Sequence, residues 1–142
     1  MAPQLVSLGP GLSVTGRLDR SDFEELARAG ARTIINNRPD GEDPGQLPVA
    51  EARRIAESHG LVYHHIPITA ATLSRSDVDA FAAALHNAPA PVVAHCRSGT
   101  RSTLLWALSR MREGADPLSL IAEAARHGID IANLPAVSAR LR

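Results

Sequence analysis

The sequence predicts an α/β fold, a single domain whose mostly parallel central sheet is flanked by helices on both faces. Three observations carry that expectation. Short apolar runs of strand length recur at Leu12–Gly16, Arg32–Asn36, Leu61–Ile66 and Pro91–His95. Between them lie segments with apolar residues at helical spacing, and strands that alternate with helices are joined by crossovers that leave neighbouring strands parallel and covered on both sides. With 142 residues and 44% hydrophobic content, the chain holds material for one core and little for a second, so residues 1–142 read as one domain.

In chain order, Leu12–Gly16 is the first strand. Asp19 or Ser21 caps a helix that runs through Ala29, with Phe23, Leu26 and Ala27 as its apolar stripe and Gly30 as its stop. Arg32–Asn36 is a buried strand. Asn37–Leu47 is a polar loop broken by Pro39, Gly41, Pro44 and Gly45, long enough to carry function. Pro48 suits the first position of a helix over Val49–His59, which Gly60 closes. Leu61–Ile66 is the next strand, ended by Pro67. Ser74-Arg75-Ser76-Asp77 is a capping arrangement for a helix with Val78, Phe81, Ala82 and Leu85 at helical spacing, ending near Asn87. The Pro91–His95 strand leads through a loop into a helix over Ser102–Arg112. After Gly114, Asp116-Pro117 opens a helix with Leu118, Ile121 and Ala125 along one face, closed by His127-Gly128.

Composition narrows the function. Fifteen basic and fifteen acidic residues cancel, so no global field points to nucleic acid, an acidic polymer or a membrane surface, and any anion preference must be local. Every basic residue other than histidine is arginine, which reads first as genomic bias. Met1–Gly9 has neither a basic flank nor a long apolar run, so no secretory signal or membrane span is expected and a cytoplasmic location follows. A single cysteine excludes an internal disulfide and suits a reducing compartment. Six histidines without paired cysteines or helical His spacing imply no metal.

The chemistry is concentrated in His95-Cys96-Arg97-Ser98-Gly99-Thr100-Arg101-Ser102, where the lone cysteine stands between a strand end and a helix start. Amides of such a loop, and of the first helical turn, lack intrahelical partners and converge on negative charge. A thiolate is one such charge, so the field that binds an anion also favours the attacking form of sulfur. Arg101 adds a planar, always-charged fork for the oxygens of a bound oxyanion, and Arg97, Ser98, Gly99, Thr100 and Ser102 complete the anion-binding cradle. A free cysteine at a strand end is often a small buried hydrophobe. Two arginines, a glycine and three hydroxyl residues around it argue instead for reactivity.

Strand, His95-Cys96, Gly99, Arg101-Ser102 and helix, in that order, resemble the cysteine-dependent phosphatases of the tyrosine and dual-specificity class. Taken with Ile34-Ile35-Asn36-Asn37-Arg38-Pro39-Asp40-Gly41-Glu42 and His65-Ile66-Pro67, the loop resembles the bacterial phosphatase-like domain of beta-lactamase hydrolase-like proteins, over roughly Leu8–Leu134. The resemblance implies Cys96 as nucleophile and Arg101 as phosphate clamp, in a family described both as phosphatases and as sulfur transferases. Two departures matter. Phosphatases of this class place five residues between cysteine and arginine, whereas only Arg97, Ser98, Gly99 and Thr100 intervene here. One cradle amide is missing, and a preorganised donor is worth about 2.7 to 4 kcal/mol in an oxyanion site. Four intervening residues is also the loop size of rhodanese sulfurtransferases, whose cysteine carries a persulfide.

The second departure is the general acid. The class carries an aspartate about thirty residues before the cysteine, but His64–Thr72 holds no carboxylate. Asp40 or Glu42 is the substitute expected here, with Asp40 preferred, because parallel strands send their carboxyl ends to one edge. Asp40-Gly41 is also an ordinary turn dipeptide. Arg38 either adds positive charge for a substrate anion or is solvated or paired with Glu42. His64 and His65 point to opposite sides of a strand, so at most one approaches a site. His95 is expected to face away from Cys96 and brace the loop through a hydrogen bond. Ser102 is expected to donate to the Cys96 sulfur, to cap the helix, or both. Trp106 reads as core packing.

Three readings follow. The first is a cysteine-dependent hydrolase of phosphate monoesters, acting on a small anionic substrate or a phosphorylated protein through a thiophosphoryl enzyme, without metal or organic cofactor. The second keeps Cys96 as a persulfide carrier, with Arg97 and Arg101 holding the donor. The third is an anion-binding module of little activity. No nucleic acid or membrane partner is expected, and oligomeric state is left open.

Overall fold

The structure is a computed structural model that describes residues 3–141. Met1 and Ala2, part of the stretch expected to hold no leader, and Arg142 lie outside the described residues. The elements are β1 (Val6–Ser7), β2 (Leu12–Thr15), α1 (Arg20–Arg28), β3 (Thr33–Asn36), α2 (Val49–Ser58), β4 (Val62–His65), α3 (Arg75–Asn87), β5 (Val92–His95), α4 (Thr100–Arg112), α5 (Pro117–Arg126) and α6 (Leu134–Arg140).

The strands form one sheet in the order β1-β2-β5-β3-β4. β1 pairs antiparallel with β2, while β2, β5, β3 and β4 run parallel, so the mostly parallel α/β sheet is present. Because side chains alternate along a strand, β3 and β5 divide theirs between two cores. Ile35, Val92 and Ala94 join Phe81 of α3, Leu105 and Trp106 of α4, Leu120 of α5 and Leu134 of α6 on one face. Ile34 and Val93 join Phe23 and Leu26 of α1, Ala52 and Ala56 of α2, and Tyr63 on the other. Both faces are thus covered, and Trp106 packs in the core as expected. Burying a side chain such as Phe81 or Leu105 stabilises by about 1.5–3 kcal/mol, which is what holds these helices to the sheet.

Helix starts follow their caps. Asp19 and Ser74 each form a capping box, with Asp22 and Asp77 reaching back to the cap amide, and Asp116 accepts from the Ser119 amide ahead of Pro117. Pro48 is corrected from first helical residue to N-cap. α4 begins at Thr100 rather than Ser102, with Gly99 as its cap. β1 and α6 had no counterpart in the sequence reading: one is two residues long, and the other is a seven-residue helix with a single fully buried anchor, Leu134. Neither is long enough to show a period. Among the described residues no helix is long and apolar enough to cross a membrane.

Candidate active site

The carboxyl ends of β2, β3 and β5 meet at one edge of the sheet, and the loop after β5 is tied to both neighbours. The Cys96 amide donates to the Thr15 carbonyl at 3.4 Å, and the Asn37 amide donates to the His95 carbonyl at 2.8 Å. Gly16 lies flat against this loop, since a Cβ there would sit 2.9 Å from the Arg97 carbonyl oxygen. Gly99 takes φ +92°, the left-handed conformation that glycine adopts without cost, and swings the chain into α4. Its amide thereby donates to the Cys96 sulfur at 3.0 Å, and the Thr103 hydroxyl donates back to its carbonyl at 2.7 Å. Ser98 and Thr100 hydroxyls lie 3.2 Å apart on the rim. Cys96 itself is 1% exposed, so the sulfur sits at the base of its loop, away from open surface.

Two asparagines that the sequence reading left without a role support this edge. Asn37 is fully buried; its amide group donates to the Ile66 carbonyl at 2.9 Å, and its oxygen accepts from the Ser102 hydroxyl at 2.7 Å. Ser102 is therefore corrected: it is inside α4, caps nothing, and donates to Asn37 rather than to Cys96. Asn36 accepts from the Arg38 amide at 2.8 Å and donates to the Tyr63 hydroxyl at 2.9 Å. Two consecutive amides ending a buried strand were the available signal, because a buried amide must find partners.

Above the loop lies a network of charges from Asn37–Leu47. Glu42 receives both terminal nitrogens of Arg101, at 2.7 and 2.8 Å, and Nε of Arg38 at 3.1 Å. Arg101 also donates to the Ile68 carbonyl at 2.9 Å. The Arg101 hydrogen bond above all, followed in the same sense by Arg38, holds the Glu42 carboxyl at about 2 against the opposing effect of burial. Arg101 is raised in turn, chiefly by Glu42 and further by charge on the Cys96 sulfur. Asp43 is shared by Arg38 and Arg97, the latter at 3.0 Å. Arg38 is 5% exposed, so of its alternatives the pairing with Glu42 is the one present. Asp40 is exposed, and its carboxylate accepts from the Val49 amide at 3.4 Å near the start of α2.

The histidines divide. His65 meets the Arg38 carbonyl at 2.7 Å and so fixes the loop. His95 is corrected: both ring nitrogens are buried without a hydrogen-bond partner, so it braces nothing through a polar contact. Burial first, then the charges of Arg38 and His65, push it down to about 3, which keeps it neutral. Among the described residues no group of three or more His, Cys, Asp or Glu is placed to hold a metal ion.

Beside the loop opens a cleft of about 520 Å³. Its charged lining is Glu42, Arg97, Arg101 and Asp130, the last from the segment between α5 and α6, and its apolar lining includes Ile68, Leu73 and Leu104. Asp130 follows the cysteine in sequence and stands in no local motif, so no sequence signal marked it. An anion cradle with a sulfur at its base and a half-apolar cleft beside it is suited to attack on an oxyanion that carries an organic group.

Comparison with known proteins agrees with that geometry. The profile of the family "Beta-lactamase hydrolase-like protein, phosphatase-like domain" matches residues 4–113. A beta-lactamase hydrolase-like protein of Xylella fastidiosa is 34% identical over 131 residues, covering 90% of this chain and 30% of the relative. The chain thus spans under a third of the length of that curated relative. A crystal structure of a candidate phosphatase from Neisseria meningitidis superposes with a TM-score of 0.83 at 34% identity, over 93% of this chain and 94% of the other. TpbA of P. aeruginosa superposes at 0.70 with 20% identity, over 95% and 81%, a likeness of fold.

Proposed function

The chain belongs to the phosphatase-like domain family of beta-lactamase hydrolase-like proteins, and from that premise we propose that it is a cysteine-dependent phosphatase acting on phosphate monoesters. The observation that carries the reading is the Cys96 sulfur under its loop, receiving the Gly99 amide at 3.0 Å, with Arg101 held alongside. Sulfur attacks phosphorus, the ester oxygen leaves, and water then cleaves the thiophosphoryl enzyme. Arg101 has five N–H donors. Two are taken by Glu42 and one by the Ile68 carbonyl, which leaves Nε and one terminal N–H for phosphoryl oxygens. Loop amides supply the remaining donors.

Small anionic esters and phosphorylated proteins are the proposed substrates, in a cytoplasmic setting where a lone thiol stays reduced. The test is hydrolysis of an aryl phosphate by wild type and by Cys96→Ser. Activity that survives the substitution overturns the reading, as does a wild-type thiol that resists alkylation near neutrality.

The four-residue spacing from Cys96 to Arg101 favours a second reading, transfer of sulfane sulfur through a Cys96 persulfide. Incubation with thiosulfate and intact-mass measurement separates the two: one added sulfur, removable by cyanide, supports it. An anion that stabilises the fold with no turnover of either kind would leave the chain a binding module.

A further inference from the structure

We propose that Asp130 is the proton donor to the leaving oxygen, and that the site is consequently built for monoesters of phenols and alcohols, whose oxygen departs poorly without a proton. This rests on the phosphatase reading above. Each of the loop carboxylates is already engaged. Glu42 is locked to Arg101 and Arg38 and held ionised down to about pH 2, so it carries no proton to give near neutrality. Asp43 is divided between Arg38 and Arg97, with Arg17 at 3.6 Å. Asp40 is exposed and turned to the Val49 amide. Guanidinium partners favour the charged carboxylate, which is the opposite of what a proton donor requires.

Asp130, likewise exposed and hydrogen-bonded to a backbone amide, differs in what it faces. It lines the same cleft as Arg97, Thr100 and Arg101, and among the described residues no cation pairs with it. One carboxylate oxygen accepts from the Ala132 amide at 2.9 Å, which aims the group. The other oxygen has no protein partner among the described residues. Leu73 and Leu104 belong to the apolar lining of this cleft, a surface for the carbon part of an ester whose phosphoryl group the arginines hold. Phosphoryl-holding and proton-donating groups therefore border one space.

The steps balance. As the Cys96 thiolate forms the sulfur–phosphorus bond, the phosphorus–oxygen ester bond breaks, its electron pair stays on the oxygen, and that oxygen takes the proton of the Asp130 carboxyl. The Asp130 carboxylate then accepts a proton from water as the water oxygen bonds to phosphorus, the sulfur–phosphorus bond breaks, and the thiolate and the acid are regenerated.

The test compares leaving groups. Rates on phenyl phosphate (poor leaving group) and 2,4-dinitrophenyl phosphate (good leaving group) are measured for wild type, Asp130→Asn, Asp130→Glu and Cys96→Ser. Asparagine keeps the oxygen that accepts from Ala132, so the variant retains that turn. Expected is a loss of about 10²–10⁴-fold for Asp130→Asn on phenyl phosphate, the range of general acid catalysis, and at most about tenfold on the dinitrophenyl ester. Asp130→Glu recovers part of the phenyl phosphate rate. Equal slowing of both esters overturns the role of Asp130 and leaves the phosphatase reading standing. Full activity in Cys96→Ser, or no turnover of either ester by wild type, removes the reading beneath it and the proposal with it.

Discussion

Arg101 serves two anions at once, and the geometry decides how. A guanidinium free to turn would lose orientation each time it bound a substrate oxygen, whereas Glu42 and the Ile68 carbonyl grip one edge and leave the other presented. Glu42 is thus a positioning residue, charged above about pH 2. Glu42→Gln keeps the shape but removes the charge-assisted pair; hydrogen bonds to charged groups are worth about 1.5–3 kcal/mol. The expected outcome is a fall in kcat/KM on an aryl phosphate of about ten- to a hundredfold, one decade per 1.4 kcal/mol, with the Cys96 alkylation product still formed. Steady-state kinetics check it, and an unchanged kcat/KM refutes it. Arg101→Lys should fare worse than Glu42→Gln on the same assay, because lysine keeps the charge and loses the fork.

At the scale of elements, the site depends on how closely β2 approaches the loop after β5. Gly16 is where that approach is tightest, with 2.9 Å from a would-be Cβ to the Arg97 carbonyl. Gly16→Ala must push backbone against backbone, and overpacking of this kind costs about 1–3 kcal/mol. The backbone it displaces is the one that follows Cys96, so activity should fall further than stability: Gly16→Ala should lower both melting temperature and kcat, whereas Gly114→Ala, strained by its φ of +94° but with open space around it, should lower the melting temperature and spare kcat. Equal, small effects at both positions would refute the coupling. This contrast also explains what the sequence disclosed. Cys96, Arg101 and the strand-to-helix turn form a local pattern, so they were legible, and so were the nine elements other than β1 and α6, through their apolar runs, spacing and caps. Asn37 and Gly16 were not, since their roles arise from contacts with Ser102 and Arg97, 65 and many residues away in chain. Asp40 and Glu42 lie in the same loop at the carboxyl end of β3, so the position of the strand does not separate them. The bidentate pairing to Arg101 depends on the path of Asn37–Leu47, which no local spacing encodes.

For the molecule as a whole, the two strongly shifted acids set how folding responds to pH. His95 holds at about 3 in the folded chain against an ordinary 6.5, first because it is buried, then because Arg38 and His65 repel its proton. The unfolded chain therefore binds a proton at His95 between those values while the folded chain does not, so stability is lost as pH falls below 6.5 and goes on being lost towards 3. Glu42, lowered to about 2 from 4.5, adds a second decline that begins near 4.5 and runs down to 2. The two windows overlap only below 4.5. Between pH 6.5 and 4.5 the slope of melting temperature against pH should thus contain a His95 contribution that Glu42 does not supply. His95→Met places an adaptable apolar chain of similar bulk where neither ring nitrogen has a partner. It should flatten the curve in that upper window and leave the decline below 4.5 in place, and Glu42→Gln should do the reverse. Thermal melts of the three proteins across this range, in one buffer series at constant ionic strength, decide the matter. An upper slope undiminished in His95→Met would mean that the neutral buried imidazole is not its source.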